Sequence, residues 1–142
     1  MAVIAMVDTY LVLIRHGQTE WNREHRIQGN GDSPLTDLGC AQAAAAAAAL
    51  MRFDFDALYT SDSGRALQTA TPIMASSDLA ATPEPRLRER HYGLFEGKTR
   101  QDIRREFPAI YDAYQQRNPD FVAPEGESSA ALQARAVEAC TE

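Results

Sequence analysis

The feature that most constrains this chain is a five-residue apolar run, Tyr10-Leu-Val-Leu-Ile14, that ends abruptly in Arg15-His-Gly17. A continuous apolar run of this length is the pattern of a strand buried on both faces of a parallel sheet. Ala57-Leu-Tyr-Thr-Ser61 reads as a second buried strand, and Thr82 to Leu87 as a short third one weakened by Pro83 and Pro85. Helical stretches stand between them. Thr36 or Asp37 caps a helix from about Leu38 to Met51, with Gly39 as its weak point. Its alanine tract, Ala43 to Ala49, reads as a small-residue face packed tightly on a neighbour. A second helix starts near Ser63 and passes through Ala66, Leu67, Ala70 and Ile73, with Pro72 bending it or ending it early. After loop-like residues from His91 to Gly97, helices are expected over Gln101 to Phe107, Ile110 to Gln116 and Ser128 to about Cys140, with a loop from Asn118 to Gly126. Strands alternating with helices predict an α/β fold, a three-layer α/β/α sandwich with a mostly parallel sheet. No repeat or linker divides residues 1–142, so a single domain is expected.

Composition narrows the function. Apolar residues at 44% and charged residues at 24% are ordinary globular usage. Fourteen Lys and Arg against twenty Asp and Glu leave a net charge of −6, which argues against a nucleic-acid or acidic-membrane binder. A small anionic substrate is still compatible, because a pocket can be locally positive. Cys40 and Cys140 have neither zinc-like spacing nor disulfide density, so a reducing cytoplasm is expected. No segment reaches the ~20 apolar residues of a membrane span. The apolar start, Met1 to Val7, lacks a basic flank and meets Asp8, which argues against a secretory signal.

In open α/β sheets, ligands bind beyond the carboxyl ends of the strands. The two clearest strands end in Arg15-His16-Gly17 and in Ser61-Asp-Ser-Gly-Arg65, so both deliver polar and cationic groups to one sheet edge. Arg15 and Arg65 offer donor forks suited to phosphate oxygens. His16 beside them suits a base, a metal ligand or a nucleophile. Glu89, after the third strand, can supply a proton. Together these are the parts that phosphoryl transfer through a covalent histidine requires.

The residues also carry a resemblance. Leu13-Ile-Arg-His-Gly-Gln-Thr-Glu-Trp-Asn22 is similar to the signature of the histidine phosphatase superfamily, which includes the cofactor-dependent phosphoglycerate mutases. The likeness continues through Arg26 to Gly29, Asp32 to Thr36, Tyr59 to Ala70, Leu87 to Gly93, Phe95 to Gly97 and Pro124 to Ser128. It implies a phosphoglycerate mutase-like fold. It also implies that His16 is the phosphorylated nucleophile, that Arg15 and Arg65 hold the phosphoryl group, and that Glu89 is the proton donor. Asn22 and Gln28 match positions lining the phosphate pocket of phosphatase members, and Thr19 and Ser61 are weaker candidates. The family's second catalytic histidine has no counterpart here. His25 matches no catalytic position, and His91 belongs to the acid motif. The expectation is therefore a chain that stops before that histidine, with the C-terminal part missing and an open gap beside the strand ending in Arg15, or another chain filling it. On its own such a chain is expected to be inactive.

Three readings follow from the resemblance. A phosphomonoester hydrolase working through phosphohistidine on a small phosphorylated metabolite is favoured by Arg26 to Gly29, Asp32 to Thr36 and Gly126 to Ser128. A phosphoglycerate mutase is suggested by Glu89-Arg-His-Tyr-Gly93, where Arg90 and Tyr92 would grip a substrate carboxylate. A non-enzymatic phosphate-binding module is the third. No metal and no cofactor are expected, save 2,3-bisphosphoglycerate under the mutase reading. The expected partner is a small phosphorylated substrate, without nucleic acid or membrane, and a homodimer is left open.

Overall fold

A computed structural model describes residues 9–141. The element order is α1 (Glu20–Arg23), α2 (Asp37–Leu50), β1 (Leu58–Thr60), α3 (Gly64–Ser76), β2 (Ala81–Pro83), α4 (Arg100–Glu106), α5 (Pro108–Gln115) and α6 (Ser129–Thr141), with 3₁₀ turns at Pro85–Leu87 and Gly93–Phe95. Strands β1 and β2 pair in parallel, Leu58 opposite Ala81 and Thr60 opposite Pro83. The crossover between them is α3, so the central unit is the expected βαβ. No helix among the described residues is long and apolar enough to cross a membrane.

Helix α2 starts where its cap requires. Thr36 Oγ1 accepts from the Gly39 amide at 3.0 Å, satisfying one of the orphan donors of the first turn. Helix α2 packs on α3, and within its alanine tract Ala43 and Ala47 are the buried members, 2% and 4% exposed. These two lie one turn apart on a single face. Gly39 is no weak point of this helix. A Cβ there would lie 2.0 Å from the Gln18 carbonyl oxygen, and a Cβ on Gly17 would lie 2.3 Å from that of Gly39. Two glycines thus let the loop after His16 lie directly on the first turn of α2.

Three expectations need correction. Tyr10 to Ile14 forms no strand among the described residues, and it is exposed instead of buried, with Tyr10 at 84% and Leu13 at 86%. An apolar run becomes a strand only when a neighbour accepts its ladder, and none of the described strands does. The third strand is shorter than expected, because Pro85 opens a 3₁₀ turn and the ladder stops at Pro83. Pro72 does not end α3, which runs on to Ser76.

A second packed cluster forms around Phe95, Ile103 and Ala123, with Tyr92, Phe107, Tyr114 and Phe121 against it. Phe95 meets Phe107 at 5.2 Å and Tyr114 edge-on at 5.4 Å, both favourable aromatic separations.

Gly39→Ala tests the close approach to α2. Helix propensity alone predicts a gain of about 1 kcal/mol, whereas the collision with Gln18 predicts a net loss of roughly 1–3 kcal/mol. Urea unfolding should therefore give a lower midpoint for the variant, and a higher one would refute the contact.

Candidate active site

Arg15, His16, Ser61, Ser63, Arg65 and Glu89 line a single cavity of about 340 Å³, to which Val12, Leu13 and Ile14 of the exposed run also contribute. The fold thus brings together the four residues the sequence singles out for chemistry.

His16 is half-buried, and its Nδ1 lies 2.7 Å from the Gly17 carbonyl oxygen. A carbonyl only accepts, so Nδ1 carries the proton and Nε2 keeps its lone pair. The backbone behind it is pinned. The Gly17 amide donates to Thr69 Oγ1 at 3.1 Å, and that hydroxyl donates to the Arg65 carbonyl at 2.8 Å. Burial pushes the His16 pKa below 6.5. The Gly17 carbonyl opposes that shift, the charges of Arg65 and Arg15 reinforce it, and Glu89 opposes it weakly. The net direction is down, which favours the neutral imidazole at neutral pH.

Arg65 enters from the first turn of α3 and is 3% exposed. Its Nη1 donates to the Gly31 carbonyl at 2.9 Å and its Nη2 to that of Gly29 at 2.7 Å. Asp32 Oδ1 lies 3.5 Å from Nη1. Nε is buried with no hydrogen-bond partner. Gly29 holds φ +57°, a left-handed backbone, and a Cβ there would meet the Glu96 carboxylate at 2.3 Å. That carboxylate accepts from the amides of Asn30 (2.9 Å), Gly31 (2.7 Å) and Tyr92 (2.9 Å), so it shapes the loop that holds Arg65.

Glu89 is exposed at the cavity. One of its oxygens accepts from the Arg90 amide at 2.7 Å, which leaves the second to the cavity. Arg15 is exposed at the same wall.

The other expected contacts lie elsewhere. Thr19 Oγ1 donates to Gln28 Oε1 at 2.9 Å, Asn22 Nδ2 reaches the same oxygen at 3.3 Å, and Asn22 Oδ1 takes the Thr19 amide at 3.1 Å. Thr19 and Asn22 are thereby the capping box of α1, and none of the three residues is on the cavity wall. Gln28 Nε2 is buried without a partner. Arg90 is 7% exposed and spends its donors on backbone and hydroxyl groups. Nε binds the Glu127 carbonyl at 2.9 Å, Nη1 binds Ser129 Oγ at 2.8 Å, and Nη2 binds the Phe121 carbonyl. Its guanidinium also lies over the Tyr92 ring at 5.0 Å. Arg90 and Tyr92 line a second cavity of about 340 Å³ together with Arg100 and Arg117. Burial and the nearby Glu89 charge raise the Tyr92 pKa. His25 is exposed with φ 57° just beyond α1, and His91 Nε2 lies 3.8 Å from Glu96.

Asp32, Thr69 and Glu96 escape sequence reasoning as supports of the site. All three fall inside the motif blocks, but their roles depend on partners 33 to 66 residues away in sequence.

Comparison with known proteins agrees with this arrangement. Residues 11–142 match the profile of the histidine phosphatase superfamily, branch 1. Over 123 residues the chain is 41% identical to mouse "Fructose-2,6-bisphosphatase TIGAR", covering 83% of this chain and 44% of the relative. It is 37% identical over 127 residues to "Probable phosphoglycerate mutase GpmB" of Proteus mirabilis, covering 89% and 58%. The structure of Bacillus stearothermophilus YhfR superposes with a TM-score of 0.80 at 42% identity, covering 89% of this chain and 62% of that one. The chain spans about half the length of the curated relatives it matches.

By NMR, the His16 imidazole should titrate below 6.5. Arg15→Gln should move its midpoint upward, because a cation that disfavours protonation is removed. A midpoint at or above 6.5 that ignores Arg15 would contradict the site's electrostatics.

Proposed function

The chain belongs to the histidine phosphatase superfamily, branch 1, and from that premise we propose that the protein hydrolyses a small phosphomonoester through a phosphohistidine intermediate. The observation that carries this reading is the unpartnered Nε–H of Arg65, a buried cationic donor in the wall that also holds His16 and Glu89. A phosphoryl oxygen is the acceptor it lacks.

Under this reading His16 Nε2 attacks phosphorus and the P–O bond to the leaving group breaks. The Glu89 carboxyl gives its proton to the departing oxygen. As a carboxylate it then takes a proton from water, whose oxygen attacks the phosphohistidine and releases phosphate. Arg15 and Arg65 stabilise the equatorial charge, and loss of either should cost roughly 3 kcal/mol of transition-state stabilisation. Two guanidiniums carry the charge, so the reading calls for no metal or cofactor.

Arg90, with each nitrogen occupied, is a poor grip for a substrate carboxylate. This supports the hydrolase over the mutase. The second cavity supports a substrate with a further anionic group, because Arg100 and Arg117 line it beside Tyr92. The same reading puts the protein in the cytoplasm and leaves dimerisation open.

The full-length protein should hydrolyse p-nitrophenyl phosphate and should not isomerise 3-phosphoglycerate in the presence of 2,3-bisphosphoglycerate. Isomerisation would select the mutase, and phosphate binding without turnover would select a binding module. His16→Ala should abolish both turnover and acid-labile phosphoenzyme. Arg117→Ala should raise KM for a sugar bisphosphate and leave KM for the aryl phosphate unchanged.

A further inference from the structure

Glu89 has to place a proton within hydrogen-bonding reach of a departing oxygen, yet it stands on irregular backbone. The β2 ladder has ended at Pro83 and the following turn at Leu87. Its backbone carbonyls are held from α6. Arg135 Nη1 donates to the carbonyls of Arg86 at 2.7 Å and Arg88 at 2.6 Å, and Nη2 donates to that of Glu89 at 3.0 Å. Three carbonyls within four residues therefore meet on one guanidinium. Glu127 orients that guanidinium, with Oε2 3.2 Å from Nε and Oε1 on Nη2. The same Oε1 accepts from the His91 amide at 2.9 Å. The backbone on both sides of Glu89 is thus tied to one charge pair. The pair also holds Glu127 below its usual carboxylate range, chiefly through Arg135.

We propose that Arg135, oriented by Glu127, is a positioning residue that fixes the backbone of Glu89 so that its carboxyl meets the leaving-group oxygen. The proposal rests on Glu89 being the proton donor. Arg135 does not line the cavity and touches no reacting atom. Arg65 on α3 and Arg15 beside His16 are not among the groups that Arg135 and Glu127 bond. Losing Arg135 should therefore weaken proton donation and spare phosphoryl binding.

The test compares two leaving groups in the full-length protein. p-Nitrophenolate leaves without a proton, whereas the alkoxide of glycerol phosphate needs one. Arg135→Gln should lower kcat for glycerol phosphate about tenfold more than kcat for p-nitrophenyl phosphate. KM for both should stay within about twofold. Equal losses on the two substrates would mean that Arg135 merely supports the fold, and no loss would mean that it has no role. Either result overturns the proposal. Should Arg135→Gln fail to fold, Glu127→Gln removes the orienting charge while keeping the side-chain shape, and the same split decides. Glu89→Gln, run in parallel, separates the two readings. If it shows the leaving-group dependence and the Arg135 and Glu127 variants do not, only the positioning role falls. If Glu89→Gln shows none, the assignment of Glu89 as donor falls and the positioning role goes with it.

Discussion

A guanidinium placed among packed side chains costs several kcal/mol unless its donors are met. Arg65 meets that cost through the carbonyls of Gly29 and Gly31, and much of the site depends on this arrangement. Those carbonyls converge only because Gly29 takes a left-handed backbone and Glu96 gathers the amides of Asn30 and Gly31. Arg65 in turn offers its own carbonyl to Thr69, whose hydroxyl receives the Gly17 amide. His16 and the buried cation are thereby held by one continuous set of hydrogen bonds. Such a set is worth most where water is excluded.

The site divides by how its halves are held. The half that carries Arg65 and His16 rests on regular structure, with Arg65 in the first turn of α3 and the His16 loop laid on α2 through Gly17 and Gly39. The half that carries Glu89 has no ladder and is held by charged side chains instead. Arg90 reaches from that segment to Phe121, Glu127 and Ser129, while Arg135 reaches back to it from α6. The two guanidiniums run in opposite directions across the same gap, and Glu127 serves both, by its carbonyl and by its carboxylate.

Net charge is a poor guide to what such a protein binds. The chain carries −6 overall, yet His16 sits in a field that two arginines make positive and one glutamate only partly offsets. Over the few ångströms of a cavity the nearest fixed charges dominate, because more distant exposed ones are screened. Burial and these cations act in the same direction on the imidazole and keep it neutral.

Local chemistry made a good part of this legible in the sequence alone. The cap at Thr36, the helix after Ser63 and the β1 segment depend on neighbours a few residues away, and the motifs around them single out Arg15, His16, Arg65 and Glu89, which the fold brings to one cavity. The tertiary structure alone decided which donors remain free. Arg65 keeps Nε, Arg90 has no nitrogen to spare, and Thr19, Asn22 and Gln28 are committed to one another. It also decided that Tyr10 to Ile14 stands exposed and outside any described strand, although its composition suits a buried one. The reason is common to all of these. Composition sets what a residue can offer, but a hydrogen-bond partner or a ladder neighbour is assigned only when segments distant along the chain come together in the fold.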